Sequence, residues 1–184
     1  MNQHDMTRNM VLAALFAALT AIGAFLQIPT GTVPITLQFL FTALAGLLLG
    51  WKWGAVSQLL YVGIGLLGLP VFTQGGGIGY VLQPSFGFLL GLIPAAAVIG
   101  AMTARRIGYL TILAAVLVGD LILYAVGVPY MYLILHVYMQ SAKTFPALLA
   151  AMLVYVPGDT LKIVVVTALA PVLRRTLAKA VPNL

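Results

Sequence analysis

The sequence has no cysteine, no glutamate, two histidines and three acidic residues in 184 positions. Without a thiol there is no disulfide, no thiolate nucleophile and no cysteine-based metal site. Two isolated histidines leave little for a metal site of any other kind. Charge of either sign is scarce, at 7% of residues, against about 25% in a soluble domain. Several motifs are also missing. There is no G-x-x-x-x-G-K-[ST], so this chain does not itself hold ATP in a P-loop. There is no H-E-x-x-H and no G-x-S-x-G. Asp120 and Asp159 are the only acids within apolar segments, which leaves no paired-carboxylate hydrolase. No motif calls for an enzyme or for a resident cofactor.

What is abundant is apolar. The chain is 62% hydrophobic, with a mean hydropathy of +1.12. These values describe an integral membrane protein, and the apolar runs have the length of helices rather than the alternation of barrel strands. The net charge of +6 does not point to nucleic acid. Its basic residues lie at the ends of apolar segments, where they orient a chain in a bilayer, not clustered on a solvated face.

Apolar runs bounded by proline, glycine and charge give six candidate spans: 10–27, 35–50, 55–69, 80–102, 109–126 and 159–173. At 1.5 Å per residue, the second and third are short for a hydrocarbon core of about 30 Å. The stretch 129–157 reads as two short helices, 130–140 and 145–155, packed over one face. A single long sixth span from Phe145, with Pro157-Gly158 inside it, is the competing reading. With the N-terminus in the cytoplasm, Arg8, Lys52, Arg105, Arg106, Arg174, Arg175 and Lys179 all fall inside. Lys143 alone falls outside, and Lys162 lies within a span. The expectation is an all-α polytopic membrane protein of six transmembrane helices, both termini cytoplasmic, forming one transmembrane domain over residues 1–184. The first span reads as uncleaved, because it is long and preceded by Asp5. The longer connections, 28–34, 70–79 and 127–157, gather on the outer face, where an imported solute arrives.

Near the last span the sequence reads VPGDTLKIVVV, 156–166. Asp159 and Lys162, three residues apart, project from one face of a helical turn. Either Asp159 opens the helix after Pro157-Gly158 while Lys162 snorkels to the interface, or the two form a polar pocket at its outer end. Asp120 lies roughly 10 Å deep and Lys162 about 6 Å deep by helical rise. Neighbouring fifth and sixth spans would bring them together; otherwise Asp120 bonds an uncharged partner or carries a proton.

TQGGGIGYVLQPSFGF, 73–88, is a second candidate. Gly76, Gly77 and Gly79 allow close backbone approach to a ligand, or simply a flexible outer turn. Tyr80 and Gln83 are placed on one helix face, and Gln27 and Gln38 flank the first outer loop. Buried amides require partners, either another helix or a ligand. On the first span, Ala13, Ala14, Ala17, Ala18 and Ala21 form a wide small-residue face, suited to packing within the chain or to docking another membrane subunit.

VPITLQFLFTALAGLLLG (33–50), GLLGLPVFTQGGGIGYVLQPSFGFLLG (65–91) and VPGDTLK (156–162) together resemble the BioY family, the biotin-binding S-components of energy-coupling factor (ECF) vitamin transporters. Where many members carry G-P-T-G-G-Y, this chain has QPSFGF, with Gln83, Phe86 and Phe88 at the differing positions. The resemblance implies a substrate-capture subunit of a prokaryotic cell membrane. It would bind biotin from outside, hold no nucleotide, and associate with a transmembrane coupling protein and two ATPase subunits. The implied ligand positions are Asp159 and Lys162. Tyr80 and Phe72 are suited to covering the biotin ring, and Ala14 and Ala18 to contacting the coupling protein. An S-component for another vitamin, or a solitary facilitator of biotin entry, is the alternative.

Overall fold

Apolar chain in lipid must satisfy its backbone internally, and helices do so within one segment. The computed structural model describes residues 3–30, 33–105 and 108–180. Its helices are α1 (Gln3–Phe25), α2 (Gln38–Leu66), α3 (Phe86–Met102), α4 (Tyr109–Leu133), α5 (Phe145–Ala151) and α6 (Val156–Ala180). A small antiparallel ribbon, β1 (Gln27–Ile28) with β2 (Ile35–Thr36), joins α1 to α2.

α2 is a hairpin. Gln38 Nε2 donates to the Tyr61 hydroxyl at 2.7 Å, and Thr42 Oγ1 donates to Gln58 Oε1 at 2.9 Å. Along a straight helix the first pair would lie about 35 Å apart. The chain therefore reverses at Gly50, whose φ of 77° and ψ of 179° are closed to residues with a Cβ. A Cβ on Gly54 would stand 2.9 Å from Gly46 Cα, so the arms touch backbone to backbone. The separately expected spans 35–50 and 55–69 are these two arms. With α1, α3, α4 and α6 they make six apolar helical segments, as the sequence led one to expect.

α2 packs against α1 and α3, α3 against α4, and α6 lies across α2 and α4. The main core runs through this stack, with Phe39, Tyr61, Phe72, Ile99 and Val116 among its buried side chains. Arg8, Trp51, Thr103 and Arg174 line one cavity, which places the start of α1, the hairpin reversal and the ends of α3 and α6 at the same end of the bundle. This is the end assigned to the cytoplasm. Arg106 and the Lys179 side chain lie outside the described residues.

Three local expectations are corrected. Residues 130–140 are not a separate short helix. Pro129 sits inside α4, which continues through a π-helical turn (Ile134–Tyr138), giving one apolar helix from Tyr109 to Tyr138. Neighbouring groups in a membrane bundle tolerate the N–H that proline lacks. The second expected short helix exists as α5 with a 3-10 turn, Met152–Val154, covering Val33, Val128, Met131 and Leu135. Pro157-Gly158 do not precede α6. They lie in its first turn, where the missing proline N–H costs nothing. Finally, Ile78–Leu82 form a 3-10 turn ahead of α3, so Tyr80 and Gln83 do not share a helix face.

Candidate functional site

The first turn of α6 carries Asp159, and one turn on comes Lys162. Each residue is only 7% exposed. Lys162 Nζ lies 2.5 Å from Asp159 Oδ1, and it donates to the Thr36 carbonyl at 3.3 Å. The Tyr124 hydroxyl of α4 donates to Asp159 Oδ2. Both carboxylate oxygens therefore bond side chains rather than capping the helix. Lys162 does not snorkel; it points inward to the ribbon. The α6 N-terminus still favours an acid at this place.

The ribbon sets Thr36. Its pairing, Gln27 with Thr36 and Ile28 with Ile35, turns the Thr36 carbonyl toward α6. Thr36 Oγ1 donates to Gln38 Oε1 at 2.9 Å. From Gln38 the bonds continue through the Tyr61 hydroxyl to the Val71 carbonyl at 3.2 Å. The ion pair is thus tied through three residues, Thr36, Gln38 and Tyr61, to the outer loop 70–79.

Beside this network opens a cleft with about 70 Å³ of internal space. Phe39, Phe88, Leu89, Leu92, Leu123 and Met152 supply apolar wall. Thr36, Gln38, Thr73, Tyr80, Ser85, Tyr124, Tyr155, Asp159 and Lys162 supply the polar groups. A mostly apolar concavity with a few fixed polar atoms is the usual form of a small-molecule site.

A profile of the BioY family matches residues 1–179. The chain belongs to the BioY family. A relative from Lysinibacillus sphaericus, described as a probable biotin transporter BioY, is 53% identical over 147 residues, 79% of this chain and 75% of that one. The biotin transporter BioY of Rhodobacter capsulatus is 38% identical over 188 aligned positions, covering 97% of each chain. The crystal structure, at 2.1 Å, of the S-component for biotin from an ECF-type ABC transporter superposes with a TM-score of 0.82. It is 28% identical, and the match covers 95% of both chains. The fold is that of an ECF S-component, the protein is a multi-pass prokaryotic membrane protein, and the BioY family is one of transporter components rather than enzymes.

Within this BioY fold the residues singled out from sequence divide in two. Asp159, Lys162, Tyr80 and Gln38 line the cleft. Phe72, Gly76, Gly77, Gly79, Gln83 and Asp120 do not. Phe72 is fully buried behind Tyr80, ring centroids 4.6 Å apart, and wedges against Tyr61 at 5.5 Å. The glycine loop is built for the fold. A Cβ on Gly76 would meet the Leu69 carbonyl oxygen at 2.1 Å, and the Gly77 N–H donates to the Gly65 carbonyl at 2.7 Å. Gly79 faces open space. Of the two phenylalanines in QPSFGF, Phe88 lines the cleft, and Phe86 is buried between Tyr80 and Tyr130.

The expected Asp120–Lys162 contact does not form. Asp159 already holds the ammonium from the same face of α6. Asp120 sits one turn deeper on α4 than Tyr124, and its Oδ1 is buried with no hydrogen-bond partner. Tyr124, four residues further along, takes the position toward α6 that Asp120 was expected to fill. The alanine face also divides. Ala13 and Ala17 are buried, and Ala21 is half-buried against the core, so these three pack within the chain. Ala14 and Ala18 point outward.

Proposed function

We propose that this protein is the biotin-capturing membrane subunit of an uptake system driven through an ECF energy-coupling module. The carrying observation is the buried Asp159–Lys162 pair under the aromatic wall of the outer cleft. An ammonium has three donors. Lys162 directs one to Asp159 and one to Thr36, which leaves the third for a ligand oxygen. A carboxylate accepts about four hydrogen bonds. Asp159 uses two, from Lys162 and Tyr124, and can take a ligand N–H as well. A cyclic urea, with two N–H groups flanking one carbonyl, matches that donor and acceptor set. Tyr80, Phe88 and the cleft leucines would cover the sulfur ring and the tail of biotin. The L. sphaericus and R. capsulatus relatives, and the solved S-component, carry biotin in their descriptions.

Uphill import requires an energy source, and the sequence holds no P-loop for ATP. A transmembrane coupling protein with two ATPase subunits would supply it. The outward Ala14 and Ala18 on α1 would let such a partner's helix approach closely. The test is purification from a biotin-containing host, mass spectrometry of the released ligand, and calorimetric titration of the stripped protein with biotin. Biotin in the eluate and saturable rebinding are expected. Neither occurring would sink the assignment.

A further inference from the structure

Met152 and Tyr155 line the polar cleft, and they also line a second outer chamber. That chamber has about 350 Å³ of space and is completed by Thr30, Met131, Lys143 and Leu148 among others. Between the two spaces the hydroxyls of Tyr155 and Thr30 meet at 2.9 Å, and Tyr155 also donates to the Val33 carbonyl. The chambers are therefore neighbours that share Met152 and Tyr155, and these hydrogen bonds hold the Tyr155 ring in place.

Lys143 is exposed, and only its backbone N–H is bonded, to Ser141 Oγ at 3.4 Å. Its ammonium has no hydrogen bond or ion pair among the described residues. The composition explains why. The chain has three acids. Asp5 pairs with Arg8 at the inner end, Asp120 lies within α4, and Asp159 is held by Lys162. No aspartate or glutamate is placed to neutralise a cation at the outer mouth, so an arriving anion meets Lys143 without competition.

Along the helix axis Lys162 and Tyr155 are separated by about 10 Å. That is the scale of biotin from its urea oxygen to the end of its pentanoate tail. With the urea at Asp159 and Lys162, the tail points out toward Tyr155. We propose that Lys143 is the carboxylate-recognising residue of the site: the tail passes beside Met152 and Tyr155, and its carboxylate ends on the Lys143 ammonium in the outer chamber. This rests on the biotin reading above. It assigns the two lysines opposite ends of the ligand, Lys162 the urea and Lys143 the acid. It also makes Lys143 a determinant of specificity for the free acid over neutral biotin derivatives.

The experiment compares biotin with biotin amide, which has the same head and no tail charge, on the full-length protein in detergent at low salt. The unsubstituted protein should prefer the acid. Lys143→Ala should weaken biotin by roughly five- to tenfold, the worth of a partly solvated charge-assisted bond. It should leave the amide unchanged, which also certifies the fold. Lys143→Glu should weaken the acid further, and Lys143→Arg should restore most of it. An acid-to-amide ratio that Lys143→Ala does not alter, or no preference in the unsubstituted protein, overturns the subsite while leaving biotin binding standing. Failure of the unsubstituted protein to bind biotin at all overturns the proposed function and this subsite together.

Discussion

At the scale of single residues, the Asp159–Lys162 pair sets stability and binding against each other. Removing one partner leaves the other charge buried without compensation, at a cost of about 3–5 kcal/mol. Removing both exchanges an ion pair for neutral groups of similar size, which is commonly near neutral. Asp159→Asn and Lys162→Met should therefore each lower the unfolding temperature in detergent, and the double variant should recover most of the loss. Biotin binding should be absent from all three. A double variant no more stable than the singles would mean that the pair is not an electrostatic unit. Tyr124→Phe removes one bond to the same carboxylate and should cost about 1.5–3 kcal/mol by the same measurement. These two cases mark what sequence discloses at this scale. Asp159 and Lys162 were legible because three-residue spacing on one helix guarantees a shared face. Tyr124 and Thr36 were not, because they reach the pair from α4 and the ribbon, and no local pattern records which helices are neighbours. Asp120 drew attention as a rare charge, while the contact to Asp159 lay one turn along, on a tyrosine among many apolar residues.

At the scale of elements, the α2 hairpin shows how backbone contact positions the site. Gln38, whose amide bonds the ribbon threonine beside Lys162, is held by Tyr61 from the opposite arm. The arms can make that bond only because Gly54, lacking a Cβ, lets the Gly46 backbone lie against it. Gly54→Leu would drive a side chain into the Gly46 backbone, where overpacking costs about 1–3 kcal/mol. It should lower the unfolding temperature and weaken ligand binding together, since splayed arms release Gln38. Gly63→Ala, on the same helix but with nothing near the added methyl, should be neutral or stabilising by a few tenths to about 1 kcal/mol. Equal effects from both substitutions would show that close approach of the arms is not what matters. Lys52, midway between Gly50 and Gly54, marked the reversal in the sequence. The π-helical turn at the end of α4 carried no such signal. Apolar residues there fit a separate short helix and a prolonged long one equally well, and only packing under α5 decides between them.

At the scale of the whole molecule, the division of the alanine face separates folding from partnership. Ala13 and Ala17 lie against the bundle, at 0% and 5% exposure, whereas Ala14 and Ala18 look away from it. A stripe of small residues in the sequence is the same whether it meets the chain's own helices or another protein's. The periodicity could mark the face but not split it. The split makes two opposite expectations. Ala13→Trp must displace buried neighbours and should abolish both folding and binding. Ala14→Trp and Ala18→Trp add bulk on the lipid-facing side, where nothing within the chain is displaced, so biotin affinity should be unchanged. If that side is where the coupling protein docks, the same two variants should abolish ATP-dependent biotin uptake into cells or proteoliposomes that contain the ATPase module. Normal uptake with Ala18→Trp would remove α1 from the coupling interface. Lost binding would instead show that the outward face is structural, and that the cleft depends on a surface that does not line it.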